Sequence, residues 1–147
     1  MTPAQSQLND FVAKFTPPVA AQATACLTRM RQRLPGALVL VYDNYNALAL
    51  AFSPTERASD AVCSLAVFPR WVSLFLVGGP TLDDPHQLLR GTGTTTRHIV
   101  LAGPETLDDS RVQALLAQAI ARSKLPLPGE GGRIVIKSIS AKQRPRR

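Results

Sequence analysis

The sequence predicts an α+β fold, a two-layer sandwich in which helices pack on one face of an antiparallel sheet of about five to six strands. Three observations predict it. Two long segments, 16–34 and 106–124, repeat apolar residues every three to four positions, the period of a helix with one buried side. Residues 37–77 hold four short apolar runs joined by connections too short for the helical crossovers that parallel strands need. The chain of 147 residues, 45% hydrophobic and 18% charged, is long and apolar enough to bury a core.

The elements follow in order. Thr2 and Pro3 form a cap and first-turn pair, and Leu8, Val12 and Phe15 then share one side of a short helix. After Thr16, Val19, Ala23, Cys26, Leu27, Met30 and Leu34 make the buried stripe of a longer helix that Pro35-Gly36 ends. "ALVLVY" (37–42) and "ALALAF" (47–52) read as a hairpin closed by Asp43 and Asn44, residues that tolerate tight-turn angles. "AVCSLAVF" (61–68) and "WVSLFLV" (71–77) form a second hairpin around Pro69-Arg70.

In "PTLDDPHQLL" an Asp83 or Asp84 cap precedes a single helical turn begun by Pro85. "RHIVLA" (97–102) is the fifth strand. Thr106 or Asp108 caps the last helix, which places Val112, Leu115, Leu116, Ala119 and Ile120 on one side. The Pro- and Gly-rich "LPLPGEGG" then leads to "RIVIKSI" (133–139), an added edge strand. Residues 1–125 are thus expected as one domain, 126–140 as a linker with an edge strand, and 141–147 as a flexible basic tail.

Charge and cysteines narrow the function classes. Seventeen Lys and Arg against ten Asp and Glu give a formal charge of +7. The tail contributes Lys142, Arg144, Arg146 and Arg147, a set that attracts polyanions by counterion release. No nucleic-acid recognition motif accompanies it. Cys26 and Cys63 sit in apolar surroundings without CxxC spacing, which suits reduced core residues of a cytosolic protein. The polar N-terminus lacks the apolar centre of a signal peptide, and no apolar run approaches the roughly 20 residues that span a bilayer, so a cytoplasmic, non-membrane protein is expected.

Candidate site residues are few. "GTGTTTRH" (91–98) has neither the Lys-Ser/Thr ending of a phosphate loop nor a following helix whose N-terminus would hold an anion. Gly91 and Gly93 read instead as suppliers of backbone angles for a turn into the strand. Arg90, Arg97 and His98 offer cations near that loop, and Tyr42, Asp43, Asn44 and Tyr45 form a polar, aromatic turn. Together they are the candidate small-ligand or partner site. His86 and His98, with Asp83 and Asp84 beside the first, are weak metal candidates whose spacing fits no standard ligand pattern. No GxSxG nucleophile setting occurs, no catalytic residue stands out and no cofactor is expected.

The stretch "RWVSLFLVGGPTLDDPHQLLRGTGTTTRHIVL" with "LDDSRVQALLAQAIARS" resembles the YdhG-like family of small bacterial domains of unknown function. There a "V-S-L-F" strand leads through "L-x-D/E-P-x-x-L-L" to "G-x-G-x-x-x-R-H-I". The resemblance implies a frataxin-like sandwich, and some relatives are described as frataxin-like iron chaperones. The segment after the first strand departs from the family pattern, keeping Tyr42 only. The first two helical segments carry Asp10 as their one acid, where frataxin-type iron binding uses an acidic ridge. The expected function is a non-enzymatic, chaperone-like module, monomeric or homodimeric, for a small ligand or protein partner. The alternatives are a nucleic-acid-associated basic protein and an iron or metal chaperone.

Overall fold

A computed structural model describes all 147 residues. Helices α1 (Pro3–Ala13) and α2 (Pro17–Arg33) open the chain. Strands β1 (Leu38–Asp43), β2 (Leu48–Ser53), β3 (Cys63–Val67), β4 (Val72–Val77) and β5 (Thr96–Leu101) follow, then helix α3 (Ser110–Ala121) and strand β6 (Ile134–Ile139). The six strands form one open sheet in the order β5-β4-β3-β2-β1-β6.

Five strands run as an antiparallel meander, and β6 pairs with β1 in parallel, so the sheet is mixed rather than antiparallel throughout. The reason is the connection. Helix α3 and the 122–133 segment return the chain across the core, the long route that a parallel neighbour requires. A register shift between Val41 and Tyr42 marks a bulge in the β1–β6 pairing.

The helices lie on one face. Leu8, Phe11 and Phe15, the whole α2 stripe from Val19 to Leu34, and Val112, Leu115, Leu116 and Ala119 of α3 are buried in one cluster. The sheet contributes alternate residues to that cluster: Val39 and Val41, Leu48, Leu50 and Phe52, Cys63, Leu65 and Val67, Val72, Leu74 and Leu76, Ile99 and Leu101. Thr2 caps α1 by accepting from the Gln5 N–H at 3.1 Å.

Several local expectations change. Asp84 accepts from the N–H groups of Leu88 and Leu89 at 3.0 and 2.9 Å, and Gln87 takes φ 54, so 84–89 is a folded turn and not a helical one. A 3-10 turn, Pro104–Asp108, precedes α3, which moves the cap to Asp109. Asp109 accepts from the Arg111 N–H at 2.9 Å and pairs with its guanidinium. Hydrogen bonds from Arg111 hold the Asp109 carboxyl at about 2. Asp108 instead ties α2 to this corner, accepting from Arg33 at 2.7 Å with Arg29 at 3.5 Å.

The last residues are docked rather than loose. Arg146 has a side chain only 3% exposed and bonds Asp43 Oδ1 at 3.0 Å. It also donates to the carbonyl of Asn44 at 2.5 Å and lies over the Phe15 ring. Arg147 donates to the carbonyls of Lys14 and Ala13, which the end of α1 leaves without helical partners. The expectation of a flexible tail assigned every basic residue to water; one of them found a buried acid.

Candidate functional site

The residues expected to form a ligand site divide among three places. Asp43 projects to the helix side, where its carboxylate is fully buried between Lys14 at 2.8 Å and Arg146 at 3.0 Å. Burial pushes its pKa up, but the hydrogen bonds from Lys14 and Arg146 win and hold it below the usual carboxylate value. Asn44 and Tyr45 lie beside it in the turn, and their carbonyls receive Arg146. Arg144 lies over the exposed Tyr45 ring at 5.9 Å. The group holds the two ends of the chain against β1, a structural role.

Arg90, Arg97 and His98 belong to the far edge. Arg90 and His98 exchange backbone hydrogen bonds of 2.8 and 3.0 Å, so "GTGTTT" is the tip of a small hairpin beyond β5. Gly91 takes φ 102, as a tight turn needs. Gly93 does not. Its small size matters because a Cβ there would come 2.8 Å from the Thr96 carbonyl. Arg97 Nε is used internally, donating to the Gly93 carbonyl at 2.8 Å.

Tyr42 shares a sheet face with His98 but lies four strands away, about 19 Å at the usual spacing. Arg97 sits on the opposite face by alternation. The expected convergence of Tyr42, Arg97 and His98 does not occur. His86 lies in the exposed 84–89 turn, and no group of three or more His, Cys, Asp or Glu side chains is placed to hold a metal ion. Of the tail, Lys142 and Arg144 are exposed and Arg147 is tied to α1, while Arg146 is withdrawn from any polyanion by its burial.

What the strands bring together is a surface that the sequence reading did not single out. Opposite the helices, the register aligns Tyr42, Ala49, Ala66, Ser73 and Val100 in one row across β1 to β5. Leu40, Ala51, Ser64, Phe75 and His98 form the next row. The β3–β4 turn extends this face with Phe68 and Trp71, their rings stacked at 4.8 Å. Leu40, Ala51 and Ala66 are buried, yet none belongs to the core cluster under the helices. Val100, Trp71 and Val77 are 50%, 42% and 41% exposed.

The face has a shape. Alanine and serine fill its middle on β2 and β3, with the larger Tyr42 on β1 and Phe75 on β4 to either side. β1 and β4 are three spacings apart, about 14 Å. Tyr42 Oη and Ser73 Oγ, both on this face, are buried without a hydrogen-bond partner.

A missed signal was available. In an antiparallel sheet with one wet face, strands alternate apolar and polar, whereas "ALVLVY" and "ALALAF" are apolar at nearly every position. Continuous runs of this kind mean that both faces of the sheet avoid water.

Both thiols are inert by position. Burial pushes Cys63 up to about 12, and burial outweighs nearby Arg29 to push Cys26 up to about 11. Neither will react with a disulfide reagent at pH 8 in the native protein, and both will react once guanidinium unfolds it. Rapid labelling of the native chain would contradict the burial of both.

No helix is long and apolar enough to cross a membrane. Comparison with protein-family models, with curated proteins and with solved structures finds no match to this chain.

Proposed function

We propose that this chain is a non-enzymatic, chaperone-like binding module of the YdhG-like type that holds a protein partner on the open face of its sheet. One observation carries the reading: the face opposite the helices is apolar and partly exposed, with Trp71 42% and Val100 50% exposed. Physical cost favours it. Across β1 to β5 this face presents only Tyr42 and His98 as titratable groups, so a partner covers it without stripping water from a full charge.

The α+β architecture is compatible with the frataxin-like arrangement that the resemblance implies. The nucleic-acid reading rested on a free tail, and the burial of Arg146 against Asp43 takes away one of its four cations. The acid-poor first helices give the iron reading no support of their own.

Trp71 is the only tryptophan and lies on the proposed face, so it reports directly on occupancy. The native protein is expected to bind anilinonaphthalene sulfonate with energy transfer from Trp71, and the paired substitution Ala49→Lys with Val100→Lys, both on the open face and outside any cleft, should remove most of that signal while leaving the far-UV spectrum unchanged. A native protein that binds no dye, or binds it equally well after both substitutions, would contradict the reading.

A further inference from the structure

A second site lies at the end of the sheet and shares only Val77 with the open face. The loop after β2, the end of β4 and the end of α3 enclose a cleft of about 520 Å³, within the usual range for small-molecule sites. Four titratable groups face it: Arg57, Asp60, Arg122 and Lys124. The one acid is already engaged, since Asp60 accepts from Thr55 Oγ1 at 2.7 Å and Arg57 Nε is only 4.0 Å away. Arg122 donates to the neutral Gln118 amide at 3.3 Å, and Lys124 forms no ion pair. The backbone N–H groups of Lys124 and Leu125 also donate to no backbone carbonyl.

The bland account of Arg122 and Lys124 is that cations complement the negative end of α3. That account covers neither Arg57, which comes from another segment, nor the apolar part of the lining. Val77 and Leu125 are 41% and 44% exposed there, beside the buried Val62 and Ala119. A helix end supplies about half a negative charge, so three cations against one committed acid leave the cleft positive. Cations and exposed aliphatic groups in one concave space match a ligand with both characters.

We propose that this cleft binds a soluble phosphate monoester carrying a compact apolar group, with the phosphate held by Arg57, Arg122 and Lys124 and the apolar group against Val77 and Leu125. Titration of the isotope-labelled full chain with phenyl phosphate, inorganic phosphate and benzyl alcohol, followed by NMR, tests it. Phenyl phosphate should shift the amides of Gly78 and Ser123 to Leu125 and bind at least about tenfold more tightly than either other compound. The double variant R122Q/K124Q should weaken it by about tenfold or more, while K142Q/R144Q should leave it unchanged. Both altered pairs are exposed, and the spectrum of each variant reports its own folding. Shifts that map elsewhere, affinity no better than that of inorganic phosphate, or affinity retained in R122Q/K124Q would each overturn the site. Sedimentation with phosphatidic acid vesicles is the remaining arm: vesicle binding through the same residues without phenyl phosphate binding would overturn a soluble ligand and place the phosphate on a lipid headgroup.

Discussion

Replacing Asp43 with alanine is expected to lower stability by about 3 kcal/mol, which for a domain of this size is a fall in melting temperature of about 10 °C. The substitution strands Arg146, whose side chain is 3% exposed and whose carboxylate partner would be gone. A buried ion pair gains little over an apolar pair of the same shape, but removing one partner leaves a buried charge uncompensated. The companion variants separate these effects. Arg146→Met should cost less, about 1–2 kcal/mol, because Asp43 keeps Lys14 at 2.8 Å. The double variant D43L/R146M should recover most of the loss, since Lys14 is 42% exposed and can turn to water.

Acid should reveal the same group. The folded pKa of Asp43 lies below its unfolded value of about 3.9, so its stabilisation is fully present above that value and lost as pH falls through the folded pKa. The stability gap between the native sequence and Asp43→Asn, measured by denaturant unfolding, should therefore be constant from pH 7 to 5 and shrink below about pH 4. A gap independent of pH down to 2 would mean that the pair contributes by shape alone. Deleting residues 141–147 should likewise destabilise the fold, an outcome not expected of a free tail.

The second large effect concerns Gly36. A Cβ built there overlaps the Pro128 carbonyl, and one at Gly132 would come within 2.5 and 2.6 Å of the Pro35 and Ala37 carbonyls. Gly132 also donates its N–H to the Pro35 carbonyl at 2.9 Å. The 35–37 and 128–132 segments thus pack backbone to backbone, and this contact delivers β6 to the edge of the sheet. β6 needs it because the strand is at most half-buried along its length and has β1 as its only neighbour. Gly36→Ala should cost about 2–3 kcal/mol, the range for forcing atoms into a filled space, and hydrogen exchange should show β6 losing protection before β1 to β5. Gly129→Ala is the control, with nothing within 4 Å of its Cβ, and should change stability by less than about 0.5 kcal/mol. Equal effects at the two positions would contradict the packing.

The helix stripes were largely legible because a period near 3.6 is local information, although Phe11 rather than Val12 is buried in α1 and Ile120 is half-buried. Every α2 residue from Val19 to Leu34 assigned to the core by spacing is buried there. The two hairpins were legible for a similar reason, since a polar turn and Pro69-Arg70 lie between apolar runs that pair directly, although Asp43, read as a turn residue, is the last residue of β1 and pairs with Leu48. What failed was non-local. Nothing in "RIVIKSI" states that it will lie parallel to β1, a neighbour some ninety residues earlier, because only the path of α3 decides that. Arg146 resembles its basic neighbours in the sequence, and only the fold brings Asp43 to it.

The candidate site was read less well than the fold. Tyr42 and His98 were placed on one site by their chemistry, and the sheet separates them by three intervening strands. Ser73, Ala49 and Ala66 drew no notice because small residues carry no chemistry of their own. Their meaning comes from sharing a face with Tyr42, Phe75 and Trp71, which requires strand register. The alternation test of the strands contained that information in part, since "ALALAF" leaves no polar side to turn toward water.

Site-specific photo-crosslinking in the source cells tests the central claim most directly, with benzoylphenylalanine placed singly at Val100 and Trp71 on the open face and at the exposed Thr28 of α2. Adducts of one discrete protein from both Val100 and Trp71, and none from Thr28, are the predicted result. No adduct from the open face, or the same adduct from Thr28, would contradict it.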